Sequence, residues 1–445
     1  MKKIIAIAFL FCFYNVFAQK KPVSISGKLV HFSNQVEVQD LSEFQYLLPP
    51  SAERMIIPGD SSGTFNISFP LTEPNYFRIG RNILYLTPGD QLDVVIDYNN
   101  PLVATFKGRG AAANNFLRAT AFPKGGSYLE AGSKAQATPQ QTIDYIINAG
   151  ALRTKQLDSL KMVSKTFKSL EKGRIQADII NSLLDGQIPF YRPRAIQKDS
   201  VKLKEYGDAY AELIKPYVDK YLKDFANAGL LSLVVYRDLA DTLVKLPGSP
   251  VDINLIRSWL KATELVDNMK QAADKTALKN MEPEINDITS LAYREAVKTT
   301  YDALMRFGKG DAAVDFTVID ITGNTINLSS LKGKVIYIDL WATWCGPCMQ
   351  EMPHYETLKT KYAGNPDIAF ISLSIDDNTK LWKENVSNRK AGGYQWLINR
   401  NKLNDYNIVS IPRTLLIDKN FKMVDMNAPV PSSKKLPAMI DELLK

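Results

Sequence analysis

Cys345 and Cys348 stand three positions apart in the run Trp341-Ala-Thr-Trp-Cys-Gly-Pro-Cys348, with Gly346 and Pro347 between them. Two thiols at this spacing can pass reversibly into a disulfide, moving two electrons. The third cysteine, Cys12, belongs to an N-terminal segment that reads as removable, so thiol chemistry in the mature chain runs through this pair. A bridge closing so small a loop restrains little of the unfolded chain, which makes a structural staple a poor reading. Zinc needs about four Cys or His ligands, and the mature chain reaches four only by recruiting both cysteines, His31 and His354. Covalent haem needs His after the second cysteine, where Met349 stands. No cofactor is expected beyond the redox-active Cys345–Cys348 disulfide itself.

The elements around the pair follow from hydrophobic pattern. Residues 335–340 form an apolar run that predicts a buried strand, and the chain turns at Trp344 into a helical pattern. Cys345 then falls at a helix N-terminus, where unpaired N–H groups and the helix dipole favour an anion. A thiol so placed has its pKa lowered from ~8.5. Cys345 reads as the nucleophile and Cys348, one turn into the helix, as the residue that resolves a mixed disulfide. Pro347 suits the first helical turn, where a missing N–H costs nothing. Further strands are expected at 368–375 and 414–417, with a hairpin at 316–328 around Thr322-Gly-Asn324. Residues 309–445 are therefore expected to form an α/β domain.

The 445 residues exceed what one core accommodates and predict several domains. Residues 1–18 read as a signal peptide: Lys2 and Lys3, an apolar core at 4–13, and a small-x-small site at Val16-Phe17-Ala18. That core is well short of the ~20 residues a membrane span needs. Residues 19–108 alternate with period two, as in Phe65, Ile67 and Phe69, and predict an antiparallel, β-sandwich-like domain. Residues 109–308 turn helical, with helices over 253–269 and 285–305. Tyr210, Ile214, Tyr217 and Tyr221 share a helix face and are assigned to core rather than to chemistry; Pro216 should kink that helix. Residues 307–311 read as a flexible polar junction. The net charge of +8 is scattered among acids and reads as solvated surface, with no basic arm for nucleic acid.

Residues 310–445 resemble the thioredoxin superfamily, in the exported branch typified by the TlpA and ResA proteins. The landmarks are Val314-Asp315-Phe316, Leu328 to Lys334, Trp341 to Pro353, and Ile411-Pro412-Arg413-Thr414 before a strand ending at Asp418. The two preceding regions resemble accessory domains of Bacteroidetes proteins of this kind. The resemblance implies that Ile411-Pro412 is a cis-proline loop facing the disulfide, where the Ile411 backbone pairs with an extended substrate. It matches Glu351 to an acidic residue one turn after the second cysteine, and Asp339 to a buried aspartate six positions before the first. Either carboxylate could take the proton of Cys348, and the choice stays open. Trp344, Gly346 and Pro347 would border the substrate, with Trp341 mainly packing and His354 exposed. The residues between Ile375 and Tyr406 would hold the insertion of this branch.

The expected activity is a periplasmic thiol:disulfide oxidoreductase that reduces protein disulfides and is recharged by a membrane electron-donor thiol protein. Homodimerisation and membrane association stay open. A peroxiredoxin-like peroxidase would want Pro-x-x-x-Thr-x-x-Cys, whereas Ile338 and Ala342 occupy the Pro and Thr positions. The remaining alternative is a scaffold whose N-terminal domains hold a partner.

Overall fold

The computed structural model describes residues 21–31, 35–49, 54–58, 62–120, 128–130, 132–272, 274–376, 378–406, 408 and 411–445. The leader expected at 1–18, with Cys12, lies outside the described residues.

Period-two alternation builds the N-terminal part. Its strands are β1 (Lys21–Val30), β2 (Gln35–Asp40), β3 (Arg54–Pro58), β4 (Thr64–Leu71), β5 (Asn75–Ile79), β6 (Asn82–Leu86), β7 (Gln91–Asp97) and β8 (Thr105–Arg109). They form two sheets, in the orders β4-β1-β7-β8 and β3-β2-β5-β6. On β7, Leu92, Val94 and Ile96 are buried while Gln91, Asp93 and Val95 face solvent, as alternation along a pleated strand requires. Both sheets contribute to one core, in which Val23, Ile25 and Val94 meet Phe77, Ile79 and Leu84. The arrangement is a β-sandwich, antiparallel apart from the parallel β1–β7 pair. Gly27 is required in that pair, because a Cβ there would lie 1.8 Å from the Val94 carbonyl oxygen.

The middle of the chain carries α1 (Ala111–Leu117), α2 (Pro139–Ser159), α3 (Lys165–Asp185), α4 (Ser200–Leu222), α5 (Val234–Arg237), α6 (Ala240–Leu243), α7 (Pro250–Gln271), α8 (Lys275–Met281) and α9 (Leu291–Arg306). Capping fixes several starts: Thr138 and Gln141 form a reciprocal box at α2, and Ser164 accepts from the Phe167 N–H at α3. The single helix expected over 285–305 is interrupted, because Ser290 caps a new helix after a short 3-10 turn at Glu282–Asp287. α4 runs through Pro216. The helical core also takes in Leu41, Leu47, Tyr76 and Tyr85 from the second sheet and the loop that follows β2, so sandwich and helices bury apolar surface together.

The C-terminal part holds β9 (Thr317–Asp320), β10 (Thr325–Asn327), β11 (Val335–Trp341), α10 (Gly346–Lys361), β12 (Ile368–Ser374), α11 (Thr379–Asn388), β13 (Tyr394–Leu397), β14 (Arg413–Ile417), β15 (Met423–Asp425) and α12 (Leu436–Leu444). The sheet order is β10-β9-β13-β12-β11-β14-β15. Every residue of β11 and β12 is buried, which accounts for their continuous apolar runs: a strand covered on both faces has no reason to alternate. α10 and α12 pack on one face through Tyr355, Leu358, Leu436 and Ile440, and α11 packs on the other through Trp382 and Val386. This is the thioredoxin-like α/β arrangement.

The junction at 307–311 differs from the expected flexible linker. Phe307 is buried with its ring 5.0 Å from that of Tyr406. The Gly310 N–H donates to the Met423 carbonyl at 2.7 Å, and the Met423 N–H donates back to Asp311 at 2.8 Å. Polar composition suggested freedom, but backbone pairing to β15 holds the segment.

Candidate active site

The site begins where β11 leaves the sheet. The turn after Trp341 is tied to the neighbouring strand end by Asp376. This carboxylate accepts the Thr343 N–H at 3.0 Å, the Thr343 hydroxyl at 2.7 Å and the Ser374 hydroxyl at 2.7 Å. Asp376 was not among the residues expected from sequence; its signal, an aspartate closing an apolar strand, is weak. The turn delivers Cys345 to the N-cap of α10, in an extended backbone conformation (φ −88°, ψ 95°). Its Sγ accepts the Cys348 N–H at 3.2 Å. Sulfur thus sits where the orphan N–H groups of a helix N-terminus point. Gly346 and Pro347 form the first turn.

Cys345 and Cys348 are joined in a disulfide, with Cα atoms 5.3 Å apart. Cys345 is 5% exposed and Cys348 1%. The rim belongs to Trp344, 66% exposed, and to the exposed Gly346 and Pro347. A visitor therefore meets Cys345 before Cys348, over an apolar platform. Trp341 is fully buried, with the Arg389 guanidinium 4.7 Å from its ring centre. Arg389 was also not foreseen; it donates to Asn385 Oδ1 at 2.8 Å and to Met352 Sδ at 3.2 Å.

The two carboxylates have unlike surroundings. Asp339 lies on β11, opposite Ser372 of β12 and Thr414 of β14, and is 1% exposed. It takes no hydrogen bond among the described residues, and its Oδ2 is buried without a partner. Burial pushes its pKa up to about 8, the nearby Glu351 charge adds to the rise, and Arg389 opposes it. Glu351 is half-buried and engaged: Oε2 accepts the Ser432 N–H at 2.9 Å and Oε1 the Ser432 hydroxyl at 2.8 Å.

The peptide bond between Ile411 and Pro412 is cis. Arg413 pairs with Leu340, so Pro412 and Ile411 continue past Trp341 at the sheet end that carries the cysteine turn. The structure therefore brings all the expected residues to one end of one sheet, with His354 exposed on α10. Among the described residues, no cluster of three or more His, Cys, Asp or Glu could hold a metal, and no helix is long and apolar enough to cross a membrane.

Chemically, such an arrangement can exchange a disulfide at Cys345, the outer of two bonded sulfurs at a helix N-terminus. Comparison with known proteins agrees in kind. The Redoxin family model matches residues 308–440. The thioredoxin-like protein YneN of Bacillus subtilis (strain 168) is 28% identical over 134 residues, 30% of this chain and 79% of that protein. The thiol-disulfide oxidoreductase ResA of Bacillus thuringiensis (strain Al Hakam) is 33% identical over 118 residues, 26% of this chain and 67% of that protein. A crystal structure of a candidate thiol-disulfide oxidoreductase from Bacteroides vulgatus shares 45% identity, covering 30% of this chain and 96% of its own with a TM-score of 0.29.

Proposed function

The chain belongs to the thioredoxin superfamily as a TlpA/ResA-like thiol-disulfide oxidoreductase, and on that premise we propose that it reduces disulfides of exported protein clients through Cys345 and Cys348. The observation that carries this reading is the cysteine pair itself, bonded and seated on a helix N-terminus with Cys345 outermost. In the reduced protein, the Cys345 thiolate attacks a client disulfide. A Cys345–client bond forms, and the client's other sulfur leaves as a thiolate. Cys348 then gives up its proton, its thiolate attacks Cys345 Sγ, and the client's second thiolate departs, so two electrons have moved to the client.

Asp339 is the acceptor proposed for the Cys348 proton. With its pKa near 8 in the disulfide form, Asp339 is mostly protonated at pH 7, the state expected after it has taken that proton. Glu351, held by Ser432, would instead set the charge that Asp339 experiences. Trp344, Gly346, Pro347 and the Ile411-Pro412 loop border the client. The Gly-Pro dipeptide supports a reducing role, since thioredoxin has a potential near −270 mV. The leader at 1–18 supports a periplasmic location, with a membrane thiol protein as electron donor. Residues 19–108 and 109–308 would serve as accessory domains for the unit at 309–445.

A Cys348→Ser variant tests the reading, because it leaves Cys345 to attack and removes resolution. It should accumulate client proteins bound through Cys345 and released by dithiothreitol. If no such adducts form and the wild type fails to reduce insulin with a dithiol donor, the proposal is wrong.

A further inference from the structure

A cavity of about 340 Å³ lies between the helical region and the thioredoxin-like sheet, where the ends of α7, α8 and α9 meet the start of β14 and the edge strand β15. Leu304, Phe307 and Met426 give it apolar walls, and four cations line it against two carboxylates. Most of those charges are already engaged. Asp274 accepts the Ala277 N–H at 2.9 Å and Asp425 the Asn427 N–H at 2.8 Å. Lys275 is paired with Asp311, and Lys270 donates to the Tyr46 carbonyl at 3.2 Å. Lys309 is exposed.

Arg413 differs: it feels the charge of Asp425, yet its guanidinium donates no hydrogen bond among the described residues and its Nε is buried without an acceptor. Leaving such donors unsatisfied is costly. A guanidinium is also the side chain best shaped to take a carboxylate through two parallel hydrogen bonds. Its location gives the carboxylate a source. Arg413 opens β14 two residues after Ile411, just past the cis bond between Ile411 and Pro412. A client strand lying along Ile411 would pass beside this opening.

We propose that the cavity is a client subsite that takes an acidic side chain flanking the client's disulfide, with Arg413 as its carboxylate-binding residue and the accessory helices as its second wall. This rests on the reading above, that protein disulfides are the substrate, and it gives residues 250–309 a part in choosing them.

The test uses the full-length reduced protein and two disulfide-bonded peptides that differ only in Glu or Gln near the cysteine. Wild type should favour the Glu peptide about tenfold in kcat/KM, the scale of one charge-assisted hydrogen bond. Arg413→Gln should bring that ratio close to one. Leu304→Trp, which fills the cavity from the helical side and leaves Arg413 in place, should do the same, so a folding failure of either variant leaves the other to decide. A wild-type ratio of one, or a ratio unchanged in both variants, overturns the subsite. Stabilisation of the protein by free hexanoate without any Glu preference would make the cavity a small-molecule site and also overturn it. If neither peptide is reduced, the thiol-exchange reading fails instead.

Discussion

Two of the places where the described residues bury charge are built differently. In the helical region, Arg174 follows Glu171 by three positions and precedes Asp178 by four on α3, and all three are almost fully enclosed. Glu171 accepts from Arg174 at 2.5 and 2.8 Å and from the Tyr76 hydroxyl at 2.7 Å, and Asp178 accepts from Arg174 at 2.8 Å. In the thioredoxin-like region, Asp339 is equally enclosed but its side chain accepts nothing, and the nearby Arg389 donates to Asn385 and Met352 with its Nη2 left buried and unpartnered. Burial pushes Asp178 up to about 7 despite Arg174, and Asp339 to about 8. Proton affinity alone thus fails to separate a structural carboxyl from a chemical one. The partner set differs: the first cluster fastens β5 of the sandwich to α3, whereas the Asp339 side chain fastens nothing, which is why it is the proposed proton acceptor.

Removing Arg174 gives the largest expected effect. Arg174→Met leaves Glu171 buried without its counter-ion, a loss of about 3–5 kcal/mol. Urea unfolding followed by far-UV signal should show this, while the thiol exchange rate of the protein that remains folded stays unchanged. Combining it with Glu171→Gln and Asp178→Asn should restore much of the stability, because no uncompensated charge remains. A cluster that tolerates Arg174→Met without loss would cancel its structural assignment.

Asp339→Asn should act in the opposite sense. Resolution of a trapped mixed disulfide should slow about a hundredfold, within the range for loss of a positioned proton acceptor. Stability of the disulfide form should rise instead of falling. A carboxyl whose folded pKa is raised from 3.8 to about 8 contributes stability that is full below pH 4 and is lost as pH climbs through 8. The variant escapes that loss, so its advantage over wild type should be absent below pH 4 and widen steadily up to about pH 8. Some slope should survive through Asp178, whose raised pKa carries the same sign. An unchanged resolution rate would demote Asp339 to the class of the other cluster.

Sequence carried the central part of this site for local reasons. A continuous apolar run set β11, the helical pattern after Trp344 set α10, and the burial of Asp339 followed from its apolar neighbours. What stayed hidden depends on contacts between distant segments. Thr343 meets Asp376 across 33 positions and Glu351 meets Ser432 across 81, and no spacing rule links either pair. Nothing in the sequence singles out Arg174, because i, i+3 and i+4 charge pairs are common on solvated helix faces; only the packing of Tyr76 and Tyr85 over α3 makes this cluster internal. β13 and β15 are too short to show a period. Arg413 appeared only as one residue of the motif around Pro412, since a cavity formed with helices more than a hundred positions away leaves no local trace.

The smallest expected effect tests why Asp339 holds its proton. Burial is the main cause of its high pKa and the Glu351 charge a further one. Glu351→Gln removes that charge and keeps a carbonyl oxygen able to accept from Ser432, so the loop at Ser432 should stay in place. The Asp339 midpoint should then fall by about half a unit, as for loss of one partly screened like charge. Infrared titration of the carboxyl band in the disulfide form reads this directly, and the pH dependence of mixed-disulfide resolution should move with it. A midpoint that stays near 8 would mean that burial alone sets Asp339 and that Glu351 serves only to hold Ser432. A fall of two units or more would mean that the two carboxyls titrate as a pair, and the contrast with the closed Glu171–Arg174–Asp178 cluster would then lie in coupling rather than in the lack of a partner.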